Sequence, residues 1–283
     1  METLYKLSGA GNDFIVLDGR SGGVDEYRKE GIIRTLCDRN TGFKAADGRI
    51  GADGVMILSS SDDGAWDFVM EYFNSDGSSG MMCGNGGRCI VALADFLGIV
   101  PNGKFYEFLA ADGPHTGEIL DRDGHSCTVK LKMKDVSEYR RCTDGWFLDT
   151  GTRHFVKFVD DVEAVDIATE GPRYRWSEEF APIGANVNFV QVLPDGSLKV
   201  RTFEKGVEDE TLACGTGITA SALAAQLEAR HKDAGTDTPA SSGTTAKSIH
   251  TAVHARIDEL AVDFTPSGSI FTDVFLTGPA ALI

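Results

Sequence analysis

Two short segments of this chain carry a cysteine in the same setting, Cys83-Gly84-Asn85-Gly86 and Cys214-Gly215-Thr216-Gly217. Each runs into a stretch with helical character, Arg88–Ala94 and Ile218–Ala224. A thiol at a helix N-terminus faces unpaired backbone N–H groups and the positive end of the helix dipole, so its thiolate is favoured. One such cysteine would suggest a nucleophile. Two, on matched halves, suggest a pair of acid/base groups facing each other across one substrate. Thiols suit that task because their pKa lies close to the operating pH.

The elements that must position these turns also come in two copies. Tyr72–Gly77 precedes Cys83, and Thr202–Gly206 precedes Cys214. Further upstream, Asn12–Asp18 resembles Arg153–Asp160, with Phe14 set against Phe155. The order in each half is a Gly-containing turn, an apolar strand, several more elements, a Phe strand, the Cys turn and a helix. This pattern predicts two related domains with a site between them, and the junction is placed at 122/123, beside Asp121-Arg122-Asp123-Gly124. Strand signals include Ile15–Leu17, Val55–Leu58, Phe68–Phe73, Phe155–Val159, Val187–Val192, Lys199–Phe203 and Ala252–Ile257. Helices are expected over Val24–Arg39, Gly86–Gly98 and Gly217–His231, with Gly98 as a stop. Phe43–Arg49 looks like an insertion, and Lys232–Ser248 like a mobile Gly/Ser/Thr-rich loop.

The composition is that of an ordinary globular protein of 283 residues, 42% hydrophobic and 25% charged. No apolar run approaches the ~18 residues of a membrane span. The N-terminal stretch lacks a signal layout, so the expected location is cytoplasmic. A formal net charge of −16 argues against nucleic acid or an anionic membrane as partner. Among the six cysteines no CxxC pair or metal-finger spacing occurs, and no metal is expected. Cys37, Cys89, Cys127 and Cys142 are expected to be reduced structural residues.

The motifs are specific enough to name a family. The chain resembles the diaminopimelate epimerases nearly end to end, through Gly9-Ala10-Gly11-Asn12-Asp13-Phe14, Cys37-Asp38-Arg39 and Ile50-Gly51-Ala52-Asp53-Gly54. The resemblance continues through Phe73-Asn74-Ser75-Asp76-Gly77, Met82–Cys89, Asn186–Val190, Glu204-Lys205-Gly206-Val207 and Glu210–Gly217. It implies an α+β fold of two pseudo-symmetric domains, each a mixed or antiparallel β-sheet wrapped around a central helix. Residues 1–122 would form the first and 123–271 the second, with 272–283 returning to the first. It also implies a homodimer, no cofactor, and diaminopimelate as the small-molecule substrate, converted between its LL and meso forms.

The chemistry of such a reaction can be reasoned from the residues. Inverting a Cα centre requires one group to remove a proton from one face and another to return one to the opposite face. Cys83 and Cys214 would do this as thiolate and thiol, exchanging roles with direction. Backbone N–H groups of Gly84, Asn85, Gly215 and Thr216 would hold the α-carboxylate as its charge grows. Position by position, the resemblance implies substrate contacts at Asn12, Gly54, Asn74, Asn85, Thr152, Asn186 and Lys205. It implies that His154 and Glu204 assist the two cysteines and the substrate ammonium. The chain also departs from its relatives. Lys205 stands where most have Arg, Thr152-Arg153 replaces Asn-Pro, Ser8 replaces His in many, and Gly54 replaces Gln in some. Two other readings fit parts of the pattern: a proline or hydroxyproline racemase of the same two-thiol fold, and a non-catalytic thiol-redox protein.

Overall fold

A computed structural model describes residues 3–80, 82–234 and 247–283 of the chain. It divides into two compact units, one of residues 1–132 with 278–283, the other of residues 133–277. The turn at Asp123-Gly124, which the sequence offers as a junction, is instead the tip of a hairpin inside the first unit, with Asp123 paired to Ser126. Residues 272–277 remain paired within the second unit, and the return to the first begins at Gly278.

In the first unit the strands are β1 (Leu4–Gly9), β2 (Asn12–Asp18), β3 (Gly54–Ser59), β4 (Phe68–Asn74), β5 (Tyr106–Ala110), β6 (Gly113–Asp123) and β7 (Ser126–Lys132). Helix α1 (Glu30–Cys37) lies between β2 and β3, and α2 (Gly84–Phe96) between β4 and β5. β2 and β3 are parallel, β3 and β4 antiparallel, β4 and β5 parallel, so each helix serves as a crossover. The chain's last residues close the sheet. Gly278–Ala281 pair with β7, and Ala281 and Leu282 pair with β1. Helix α2 packs against β1, β2, β3, β6 and β7 and is buried from Gly84 to Ala94.

The second unit repeats this plan with β8 (Tyr139–Arg141), β9 (Trp146–Asp149), β10 (Arg153–Phe158), α3 (Ile167–Arg175), β11 (Asn186–Val192), β12 (Leu198–Glu204), β13 (Asp209–Thr211), α4 (Gly215–Ala234), β14 (Ile249–His254), β15 (Glu259–Ser267) and β16 (Ile270–Leu282). β10 and β11 are parallel, β11 and β12 antiparallel, β12 and β14 parallel. Helix α4 packs against β9, β10, β11, β12, β14 and β15. A two-residue bridge between Val136 and Phe271 brings the segment ahead of β8 onto β16. The expected α+β fold, sheet around central helix, is therefore present in both halves.

Strand alternation decides which side chains reach the central helices. Ile15, Leu17, Val55 and Ile57 join Ile33 and Cys37 in a cluster against α1. Phe155, Val187, Phe189 and Phe203 join Ile167 and Tyr174 in the matching cluster against α3. The intervening residues point to the opposite face, toward α2 in the first unit and α4 in the second. That face carries Phe14, Val16 and Met56 in one unit, and His154, Val156 and Asn188 in the other, all at most 1% exposed.

The ladders also shift the internal repeat by one residue. Ile15 pairs with Val55 and Val55 with Phe73; Phe155 pairs with Val187 and Val187 with Phe203. Phe14 therefore corresponds to His154, not Phe155. Asn12 corresponds to Thr152, Gly54 to Asn186, Met56 to Asn188 and Asn74 to Glu204. Apolar residues on both sides of each strand make either alignment plausible from the letters alone.

Other departures are local. The helix expected over Val24–Arg39 is broken at Lys29, whose backbone is extended (ψ 127°) between a short 3-10 turn and α1. Gly31 inside this stretch costs about 1 kcal/mol against Ala, which weakens a continuous helix. The strand expected to reach Ile257 ends at His254, because Ala255–Asp258 forms a hairpin turn that leaves Ile257 exposed. Phe43–Arg49 is a small hairpin held by the Ala45 N–H bond to the Arg49 carbonyl. Most of Lys232–Ser248, read as a loop, lies outside the described residues. Among the described residues no helix is long and apolar enough to cross a membrane.

Candidate active site

Both cysteine turns open a central helix. Cys83 is the N-cap of α2, with extended backbone (φ −111°, ψ 154°). Its sulfur accepts from the Gly86 N–H at 3.3 Å, and its carbonyl accepts from the Gly87 N–H at 2.8 Å. Cys214 stands one residue ahead of α4, and its carbonyl accepts from the Ile218 N–H at 2.8 Å. These are the first-turn amides of a helix, where a thiolate gains most from the dipole. The glycines permit the approach. A Cβ on Gly217 would lie 2.4 Å from Asn188 Oδ1, and one on Gly86 3.2 Å from Cys83 Sγ.

The other four cysteines differ in kind. Cys37, Cys89 and Cys142 are buried and Cys127 is half-buried. Burial pushes the thiols of Cys37 and Cys127 up to about 11 and Cys142 to about 12, and pushes Cys89 higher still. They stay protonated and fill space, as expected of structural thiols.

Behind Cys83 the asparagines form a chain. Asn85 Nδ2 donates to Asn12 Oδ1 at 2.6 Å, and Asn12 Nδ2 donates to Asp53 Oδ2 at 2.8 Å. Arg88, fully buried one turn into α2, donates to Asn85 Oδ1 at 2.9 Å, to the Gly84 carbonyl and to the Pro279 carbonyl. Asp53 in turn meets Arg39, which also pairs with Asp13 at 2.7 Å. Asp13 accepts from Lys6 Nζ at 2.8 Å, deep in the unit. Burial alone would raise the Asp13 pKa, but hydrogen bonds from Arg39 and Lys6 hold it below the usual carboxylate value. Arg88, Arg39 and Lys6 are absent from the sequence-derived set. Arg88 is visible in the letters as a cation at the start of a glycine-rich helix, but its contact with the Pro279 carbonyl spans 191 residues, and the Arg49 and Gly51 carbonyls lie 43 and 45 residues from Lys6.

Asn74 and Gly54 are placed differently from the rest. Asn74 turns its amide onto Ser78 Oγ at 3.0 Å, inside its own turn. Gly54 has no room for a side chain, because a Cβ there would lie 2.5 Å from the Tyr72 ring and from the Phe73 carbonyl. Tyr72 fills the space above it.

Behind Cys214 lies a second polar group of different composition. Thr216 Oγ1 is 3.4 Å from Cys214 Sγ and 2.9 Å from His154 Nε2. Thr152 Oγ1 also lies 2.9 Å from His154 Nε2 and 3.2 Å from Thr216 Oγ1. Thr150 Oγ1 donates to the Thr216 carbonyl at 2.9 Å. Asn186 joins the neighbouring turns: its Nδ2 donates to the Arg153 carbonyl at 3.0 Å, and its Oδ1 accepts from the Lys205 N–H at 2.8 Å. Glu204 ends β12 and Lys205 follows it, exposed, in the turn to β13. Arg175, itself buried, holds that turn through Glu208.

His154 is fully buried, and burial pushes its pKa down to about 3 against an opposing pull from Asp149. Its imidazole is therefore neutral at working pH, a polariser and hydrogen-bond partner rather than a standing positive charge. The sequence-derived residues thus fall into two groups, Asn12, Asn85, Gly84 and Cys83 in the first unit, and Thr152, His154, Asn186, Gly215, Thr216 and Cys214 in the second. Asn188, which touches His154, is absent from that set. Its signal was a polar residue set between Val187 and Phe189.

The diaminopimelate epimerase family profile matches residues 4–136 and 146–264. A diaminopimelate epimerase of Flavobacterium psychrophilum is 39% identical over 280 residues, 99% of this chain and 97% of that protein. Among solved structures, a phenazine biosynthesis protein of the PhzF family from Bacillus anthracis shares the fold with a TM-score of 0.68 at 12% identity, over 99% of this chain and 96% of that one. A probable proline racemase from Agrobacterium radiobacter does so with a TM-score of 0.61 at 17% identity, over 100% and 91%. On the profile match and the near full-length relative, the chain belongs to the diaminopimelate epimerase family.

Proposed function

We propose that this protein is a cofactor-independent isomerase that interconverts LL- and meso-diaminopimelate, with Cys83 and Cys214 as the two acid/base groups. The observation that carries the reading is the duplicated Cys-Gly-x-Gly turn. Each copy opens the central helix of a matched β-α-β-β-α-β unit. In one direction Cys83 is thiolate and Cys214 thiol, and in the other the roles exchange. One sulfur takes the Cα proton, and the other delivers a proton to the opposite face. The first-turn amides at Gly84, Asn85, Gly215 and Thr216 hold the α-carboxylate as charge builds on the carbanion. Glu204 orients the substrate ammonium, His154 assists Cys214 from beneath its turn, and Asn12, Asn74, Thr152 and Asn186 line the ends of the strands that face the substrate. The enzyme works in the cytoplasm as a homodimer, on a small molecule rather than nucleic acid or membrane.

Solvent-deuterium incorporation tests the substrate. LL-diaminopimelate should exchange its Cα hydrogen in deuterated water, before and after exhaustive chelation, while L-proline and trans-4-hydroxy-L-proline should not. Exchange confined to proline would support the racemase reading instead, and exchange with none of the three would support a non-catalytic thiol protein.

Lys205 is expected to pair with a substrate carboxylate as a point charge, without the bidentate fork of an arginine. Lys205→Ala should raise KM about tenfold, the scale of one hydrogen bond between charged groups, and change kcat less. Lys205→Arg should restore or improve binding. Unchanged KM in the alanine variant would remove Lys205 from the site.

A further inference from the structure

The polar group behind Cys214 has no counterpart of the same kind behind Cys83. By strand register, His154 corresponds to Phe14 and Asn188 to Met56. All four side chains are buried against their central helix. Phe14 and Met56 carry no hydrogen-bond donor. The two halves match in fold and in their cysteine turns, yet among the described residues only the second places an imidazole together with an amide under the helix start.

The hydrogen bonds in that half have one consistent direction. The Phe155 carbonyl can only accept, and it lies 3.1 Å from Asn188 Nδ2. That orients the Asn188 amide, with Oδ1 left to accept from Thr202 Oγ1 at 3.0 Å. The other Nδ2 hydrogen points at His154 Nδ1, also 3.1 Å away. Nδ1 must then offer its lone pair, so the ring proton sits on Nε2. Nε2–H donates to the hydroxyl pair of Thr152 and Thr216. Those hydroxyls have their own hydrogens left, and the Thr216 hydrogen is free to point at Cys214 Sγ, 3.4 Å away.

We propose that Asn188 is a positioning residue: it fixes His154 with its proton on Nε2, and so turns the Thr216 hydroxyl as a donor toward the Cys214 sulfur. A donor aimed at sulfur favours the thiolate over the thiol. The two cysteines thereby draw on different donors, Cys83 on the Gly86 N–H and Cys214 on the Thr216 hydroxyl, so that loosening the relay weakens the Cys214 thiolate and leaves Cys83 unchanged. This rests on reading Cys214 as an acid/base group, but it concerns the protein without substrate.

The test uses free wild-type enzyme and four variants. Nitrogen-15 NMR of histidine-labelled protein reads the tautomer, with the His154 signals assigned by their loss in His154→Gln. Iodoacetamide alkylation, followed peptide by peptide in the mass spectrometer, reads Cys214 against Cys83 as internal reference. Wild type should show His154 protonated on Nε2 and unprotonated on Nδ1. Asn188→Asp, whose carboxylate only accepts, should move the proton to Nδ1. It should also slow Cys214 alkylation about tenfold relative to Cys83, the worth of one hydrogen bond to a charged acceptor. Thr216→Val should slow it by a similar factor. In the double variant the two effects should not add. An Asn188→Asp effect that persists undiminished in the Thr216→Val background would mean that the new charge acts directly, and would overturn the relay. Equal slowing of Cys83, or wild-type His154 protonated on Nδ1, would overturn it as well. The wild-type spectrum decides the tautomer even where a variant fails to fold. Diaminopimelate turnover is measured separately, so a relay found in an inactive protein would refute the substrate assignment alone.

Discussion

Cys83→Ala and Cys214→Ala should each lower epimerisation of LL-diaminopimelate by at least about 10²–10⁴-fold, the range for loss of a positioned proton-transfer group. The loss should appear in kcat in both reaction directions, since each thiol serves as base in one and acid in the other. Stability should change by only about 1 kcal/mol, because the helix start loses no more than a weak sulfur cap at Cys83. Alanine at Cys37, Cys127 or Cys142 should leave kcat near wild type, whatever it does to packing. Near-wild-type turnover by either variant at 83 or 214 would exclude the two-thiol mechanism.

The largest stability effect is expected at Asp13. Lys6 Nζ has no solvent exposure and is held by the Asp13 carboxylate and the Gly51 carbonyl, at 2.8 and 2.6 Å. Asp13→Ala leaves that ammonium buried without its counter-ion, at a cost of about 3–5 kcal/mol. Adding Lys6→Met removes the stranded charge, and the double variant should recover more than half of the loss. Denaturant unfolding measures both, and a loss under about 1 kcal/mol in Asp13→Ala would show that the pair contributes little. The same pair sets an acid limit. The folded-state pKa of Asp13 is lowered, so its contribution is fully present above the ordinary carboxylate value and is lost as pH falls below about 4. The buried neutral His154 acts in the same direction from a higher pH. The unfolded chain gains a proton there from about pH 6.5 downward, while the folded state resists it until about 3.

Much of the site was legible because its turns are punctuated by glycine. Cys83–Gly86 and Cys214–Gly217 announce themselves in the letters, and α2 and α4 begin within two residues of where they are expected. Helix α3 was not legible, since it carries Gly171 and Pro172 and has no clear apolar stripe. Strand β6 opens Gly113-Pro114-His115-Thr116, residues that argue for a turn, and is held in the sheet by its neighbours. The register of the repeat slipped by one because β2 is buried on both faces, so no polar alternation marks which side meets the helix. That slip hid the contrast between Phe14 and His154. The charged chain from Lys6 through Asp13, Arg39 and Asp53 to Asn12 was hidden for another reason. Asp13 and Asp53 pass as ordinary turn residues until β2 and β3 bring them side by side. The two cysteine turns, in contrast, are set by local spacing that the letters carry.

In the two-thiol mechanism, two different groups handle the proton on the two faces of one carbon. Early-turnover isotope partition in deuterated water tests it most directly. The first meso-diaminopimelate formed from LL-substrate should carry solvent deuterium at the inverted carbon. Unreacted LL-substrate recovered at the same time should still carry its original hydrogen. Product that retains the substrate's own hydrogen would mean that one group removes and returns the same proton, and would contradict a two-thiol mechanism.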